Sequence, residues 1–137
     1  MNDEPIPLES LLKIIPDVSF LSIDQIIPSF LSEQNATNAL VPNLTLFEAH
    51  QLQETFNFQT FTAFMKAHPF VQCRLVYDEQ VNLSPEYKQQ LEEYILKLVD
   101  DNSLEYPPPI IFFPEQTSRD ELVNLHQRYD ERKRCLL

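Results

Sequence analysis

The sequence predicts a mostly helical α+β fold, and three observations lead there. Apolar residues recur at helical spacing along most of the chain, behind side chains that cap helices. Val71, Cys73, Leu75 and Tyr77 alternate with Gln72, Arg74 and Asp78, as in a strand with one buried face. Ile110-Ile111-Phe112-Phe113 is a short apolar run between prolines. The expectation is about five or six helices with a small sheet or hairpin from residues 70–83 and 109–113. An all-α fold with two extended segments is the alternative.

Leu8, Leu11, Leu12 and Ile15 share a helical face, and Pro16 stops that helix. Ser22-Ile23-Asp24-Gln25 has the form of a capping box and predicts a helix through Ile26, Ile27, Phe30 and Leu31, interrupted at Pro28. Residues 34–43 are polar and read as a linker. Thr45-Leu46-Phe47-Glu48 is a second capping-box pattern, predicting a helix to about Phe56. Asn57 caps the next helix, with Phe61, Phe64 and Met65 on one face, and His68-Pro69 ends it. The phenylalanines from Phe56 to Phe70 read as core, with a groove for a partner helix as the alternative.

After the strand at 71–77, Asp78-Glu79-Gln80 is a turn from which Val81 and Leu83 can pair back. Ser84-Pro85-Glu86 opens a helix to about Asp100, with Tyr87, Leu91, Tyr94, Ile95 and Leu98 facing inward. Tyr106-Pro107-Pro108-Pro109 is extended and leads onto the Ile110–Phe113 strand. Thr117 or Ser118 caps a last helix, acidic at Asp120 and Glu121 and basic at Arg132, Lys133 and Arg134, in agreement with the helix dipole. Its inward face is Leu122, Leu125, His126 and Tyr129.

A short echo relates Ile14–Ser22 to Ile26–Ser32, and it reads as two similar helical ends, not a repeat. The 137 residues fit a single domain, 1–137, with residues 1–6 flexible. There are 11 prolines and no glycine. That removes the phosphate-binding loops and the nucleophile elbow, all of which require glycine where backbone must approach a ligand or take positive φ.

The net charge is −11. It is concentrated in residues 1–33, where six carboxylates and Lys13 give −5, and in 78–105, where eight carboxylates face Lys88 and Lys97. Such a chain repels nucleic acid and anionic membranes, so direct nucleic-acid binding is not expected. No apolar run is long enough to span a bilayer. The acidic start lacks a signal-peptide layout, and a cytoplasmic location follows as the expectation. Cys73 and Cys135 form no ligand or redox pair.

These features exclude more than they assign. Catalytic residues, a metal site and a cofactor are not expected. The expected function is a non-enzymatic, acidic interaction module (an adaptor, an export-type chaperone or an inhibitor) for a basic or apolar protein surface. A homodimer is compatible with the composition. Glu92, Glu93, Asp100 and Asp101 on the long helix, with Tyr106, Pro107 and Pro108 after it, are the candidate partner-binding residues. Acidic side chains along helices also allow a DNA-mimic inhibitor. The least favoured reading is a metal-dependent enzyme using His50 with Glu54 or His126 with Asp130, each four apart.

Overall fold

In the computed structural model, residues 6–24, 28–101 and 105–135 are described. Helices and strands alternate along them: α1 (Leu8–Ile14), β1 (Phe20–Asp24), α2 (Glu33–Thr37), β2 (Leu46–Leu52), α3 (Phe58–Ala67), β3 (Gln72–Tyr77), α4 (Pro85–Asp101), β4 (Ile110–Phe112) and α5 (Arg119–Cys135). The four strands form one sheet in the order β1-β2-β3-β4, and every neighbouring pair is parallel. This is an α/β arrangement. It overturns the expected mostly helical α+β fold with a small hairpin, and the all-α alternative with it.

Two strands stand where capping boxes predicted helices. Ser22 lies in the middle of β1, paired with Glu48 of β2. Thr45 caps nothing: its amide and hydroxyl both donate to the Ser19 carbonyl, at 2.9 and 3.0 Å, and so join the starts of β1 and β2. Parallel pairing also replaces the hairpin. Residues 78–84 turn through a Val81 N–H to Asp78 carbonyl bond, Leu83 enters the core, and the chain proceeds into α4. Within the supposed linker 34–43, α2 is capped by Ser32, whose hydroxyl accepts the Asn35 N–H at 3.0 Å. Of the segment expected to be flexible, residues 1–5 lie outside the described residues. So do 25–27 in the predicted second helix, the first two residues of the echo's second copy among them; residues 28–32 of that copy precede α2, while the first copy runs from the end of α1 into β1.

Elsewhere local chemistry acts as expected. Asn57 Oδ1 accepts the Thr60 N–H at 3.2 Å and starts α3, which ends at His68 before Pro69. Ser84 Oγ accepts the Tyr87 N–H at 3.2 Å and starts α4. Successive parallel strands lying side by side require crossovers of one hand, which put the connecting helices on one face of the sheet. Burial agrees: Phe47, Ala49 and Leu52 of β2, Cys73, Leu75 and Tyr77 of β3, and Ile111 of β4 are all buried. Against them pack Phe58, Phe61 and Phe64 of α3, Leu91 and Ile95 of α4, and Leu122 and Leu125 of α5. Phe61 is at the centre, with the rings of Phe47, Phe56 and Phe64 5.3–5.5 Å away. The phenylalanines from Phe56 to Phe64 are thus core rather than groove, while Phe70 remains exposed.

The alternation in β2 contains one irregularity. Ala49 pairs with Leu75 and Leu52 with Tyr77, so β2 uses three steps where β3 uses two. The extra residue is a β-bulge, and Gln51 within it takes φ 59°, the left-handed region. The bulge returns Leu52 to the buried face, where regular alternation from Phe47 and Ala49 would have put Gln51.

Candidate functional site

The face of the sheet opposite the helices is uncovered. It carries Phe20, Ser22 and Asp24 on β1, Leu46, Glu48 and His50 on β2, Gln72, Arg74 and Val76 on β3, and Ile110 and Phe112 on β4. Phe20, Ser22, Asp24 and Arg74 are exposed and the others half-buried, Phe112 in contact with the core. The register sets them in cross-strand rows: Phe20 beside Leu46, Ser22 beside Glu48 and Arg74, Asp24 beside His50, Val76 beside Phe112. Two apolar patches, Phe20 with Leu46 and Val76 with Ile110 and Phe112, thereby flank a polar strip. In that strip Glu48 Oε2 lies 3.3 Å from His50 Nε2. At the C-terminal ends of β3 and β4 the Arg119 guanidinium sits 4.6 Å from the centre of the Phe112 ring. A cavity of about 530 Å³ opens there, lined by Val76, Phe112, Glu79 and Glu115 among others. All-parallel sheets are almost always covered on both faces, so this exposed face is unusual for its class.

A larger cavity, about 1140 Å³ and partly open, lies at the opposite edge, where the strands begin. The C-terminal halves of α3 and α4 form its sides, and the start of β3 and the proline run before β4 complete it. Cys73 and Tyr94 line it, and burial pushes both the thiol and the phenol up to about 12, so each stays protonated and neutral.

The candidate residues on α4 and the proline run are divided by the structure. Asp101, Tyr106, Pro107 and Pro108 come together around the large cavity. Pro108 is buried and its carbonyl accepts the Gln72 side-chain amide at 3.0 Å; the Pro109 carbonyl meets His126 Nε2 at 3.2 Å. The run is therefore tied into the fold as it leads onto β4. Glu93 and Asp100 are exposed, and Glu93 accepts from Gln89 at 2.9 Å. Glu92 has a structural task. Its carboxylate accepts the Thr117 N–H at 3.3 Å, the Thr117 hydroxyl, and the Ser118 hydroxyl at 2.9 Å, and so it ties the two residues that lead into α5 to a neighbouring helix.

Neither histidine–acid pair forms a unit as predicted. His50 lies on β2 beside Glu48, while Glu54 accepts the Ser84 N–H. His126 does share α5 with Asp130, but its ring is turned to the Pro109 carbonyl. Among the described residues no group of three or more His, Cys, Asp or Glu side chains is placed to hold a metal ion. None of their helices is long and apolar enough to cross a membrane.

The open sheet face escaped the sequence reading because its residues come from four segments, two of them read as helices. Its local signals were the alternation at 71–77 and the short Ile110–Phe113 run, which say nothing of the other two strands. Of the large cavity the sequence offered one side only, Asp101 with Tyr106, Pro107 and Pro108; the facing wall, Thr62 to Ala67 of α3, is distant from them in the chain. No family model, curated protein or solved structure matches the chain.

Proposed function

We propose that the protein is a non-catalytic interaction module whose uncovered sheet face receives an amphipathic helix of a protein partner. The open face of an all-parallel sheet carries this reading. In α/β folds that face is closed by a second helical layer, and here the chain leaves it with apolar patches at Phe20–Leu46 and Val76–Phe112. Three strand spacings give about 15 Å between the outer strand axes, and five residues give about 17 Å along them. One helix of about 10 Å diameter fits that surface. A second copy suits it poorly, because two chains of charge −11 repel. The face carries Asp24 and Glu48 against Arg74, and the chain as a whole is strongly acidic, so the helix that suits it has Lys or Arg beside its apolar stripe.

The test is a photocrosslinking residue at Arg74, in the polar strip, compared with one at Leu96, exposed on α4. Used in the native host, the reading expects one discrete adduct from position 74 and none from position 96. The crosslinked peptide should be a basic amphipathic helix, and the adduct should be lost in Phe20→Glu/Phe112→Glu. Equal adducts from both positions, or an adduct that survives the double substitution, would overturn the reading.

A further inference from the structure

From the larger cavity we infer a binding site for a long-chain carboxylate, an anionic amphiphile of the fatty-acid type. This site stands apart from the sheet face and does not depend on it. Three features of the cavity point to that chemistry. Its walls are apolar in part, with Met65, Val71, Cys73 and Leu98 among them, and its volume of about 1140 Å³ is just above the ~300–1,000 Å³ of small-molecule sites. The buried Cys73 thiol, held neutral, behaves there as one more apolar surface.

The second feature is charge. Lys66 of α3 and Lys97 of α4 both line the cavity, are exposed, and make no salt bridge or hydrogen bond with a described residue. In a chain with 21 carboxylates and 10 Lys and Arg, two such ammonium groups at one opening are out of proportion to the rest of the surface. Of the two acids that also line it, Glu33 is engaged by the Gln59 amide at 3.1 Å, and Asp101 lies at the exposed end of α4. The lysine stems can lie along the apolar walls while their heads meet an anion.

The third feature is the Tyr94 hydroxyl. Tyr94 lines the cavity, and among the described residues its hydroxyl has no better partner than the Met65 sulfur, at 4.0 Å. A thioether is a weak acceptor. Kept protonated, this O–H can donate to one carboxylate oxygen while Lys66 and Lys97 bracket the head and the hydrocarbon chain occupies the apolar body.

Met65 is one of two methionines, so its ¹³C-labelled methyl group reports on the cavity directly. The experiment titrates the full chain with submicellar dodecanoate and, separately, dodecanol. The expected result is a saturable shift of the Met65 methyl with one dodecanoate per chain, and dodecanoate bound about tenfold more tightly than the alcohol. Lys66→Gln/Lys97→Gln, at exposed positions, should erase that preference and leave alcohol binding unchanged. Tyr94→Phe should weaken the acid alone. Phe20→Glu/Phe112→Glu should leave both titrations as they were, so failure of the sheet-face reading is separable from failure of this one. The inference is overturned if the Met65 methyl does not shift, if acid and alcohol bind alike in the parent chain, or if only a peptide with an apolar C-terminal end shifts it.

Discussion

Removing the Glu92 carboxylate tests the account of α5 most directly. Glu92 reaches from α4 to the start of α5 and accepts three hydrogen bonds there, from the Thr117 amide and hydroxyl and from the Ser118 hydroxyl. Ser118 is buried, and its carbonyl accepts the Leu122 N–H in the first turn. The carboxylate also lies at the positive end of a 17-residue helix. A hydrogen bond to a charged group contributes about 1.5–3 kcal/mol when well shielded. Glu92 is only half-buried, which places Glu92→Ala near ~2 kcal/mol of lost stability. Glu93→Ala, one residue on and exposed, should cost less than about 0.5 kcal/mol. With a urea slope of about 2 kcal/mol per molar, the Glu92→Ala midpoint falls by roughly 1 M. Urea unfolding followed by far-ultraviolet circular dichroism reads this, since the chain has no tryptophan. A Glu92→Ala midpoint equal to that of Glu93→Ala would refute the reasoning. The same argument bars Glu92 from charge-reversal tests of partner binding, because lost binding would then report a loosened α5.

Phe61→Ala, at the centre of the aromatic cluster, should cost about 3–5 kcal/mol in the same urea assay, and a loss below ~1.5 kcal/mol would contradict the packing described. Gln51→Gly should stabilise by about 0.5–1 kcal/mol, because glycine removes the left-handed strain at φ 59° at the cost of some entropy; a destabilised variant would argue against the bulge. Stability should fall as pH drops below the ordinary histidine range near 6.5. Burial holds His68 and His126 below that value in the folded chain, against opposing main-chain contacts and, for His126, Asp130. His68 Nε2 is buried and has no hydrogen-bond partner among the described residues. The unfolded chain therefore takes up protons first, and the folded state is favoured above that range and weakened below it. Urea midpoints at pH 7.5 and 5.5 should differ less in His68→Gln/His126→Gln, and an undiminished difference would exclude these residues as the cause.

Local patterns were legible where one helix or strand satisfies its own ends. Asn57, Ser84-Pro85 and the charge-polarised α5 all stand as read, and so do β3 and β4. The two strands expected as helices, β1 and β2, mislead for different reasons. Leu46, Phe47, Ala49 and Leu52 imitate helical spacing because the bulge at Gln51 breaks the two-residue period, and Thr45-x-x-Glu48 looks like a helix start. β1 is a five-residue edge strand, too short for its alternation to outweigh the apolar residues that follow. Of the candidate site residues, Asp101, Tyr106, Pro107 and Pro108 proved to be neighbours, whereas the cavity they border and the open sheet face are assemblies of distant segments.

By itself the sequence determined a strongly acidic chain with a Phe-rich core, punctuated by proline and capping side chains where other chains use glycine. Even the left-handed turns fall to Gln51 and Glu115. Only the tertiary structure decided that the strands pair in parallel and in sequence. Hydrogen bonds such as those from Thr45 to Ser19 and from the Gln72 N–H to the Thr45 carbonyl join residues 26 or 27 positions apart. A strand's sequence does not specify its neighbour's direction: helix-length connections allow parallel pairing, but alternation alone reads the same either way. That undetermined pairing leaves one sheet face without a cover and brings Lys66, Tyr94 and Lys97 to one cavity.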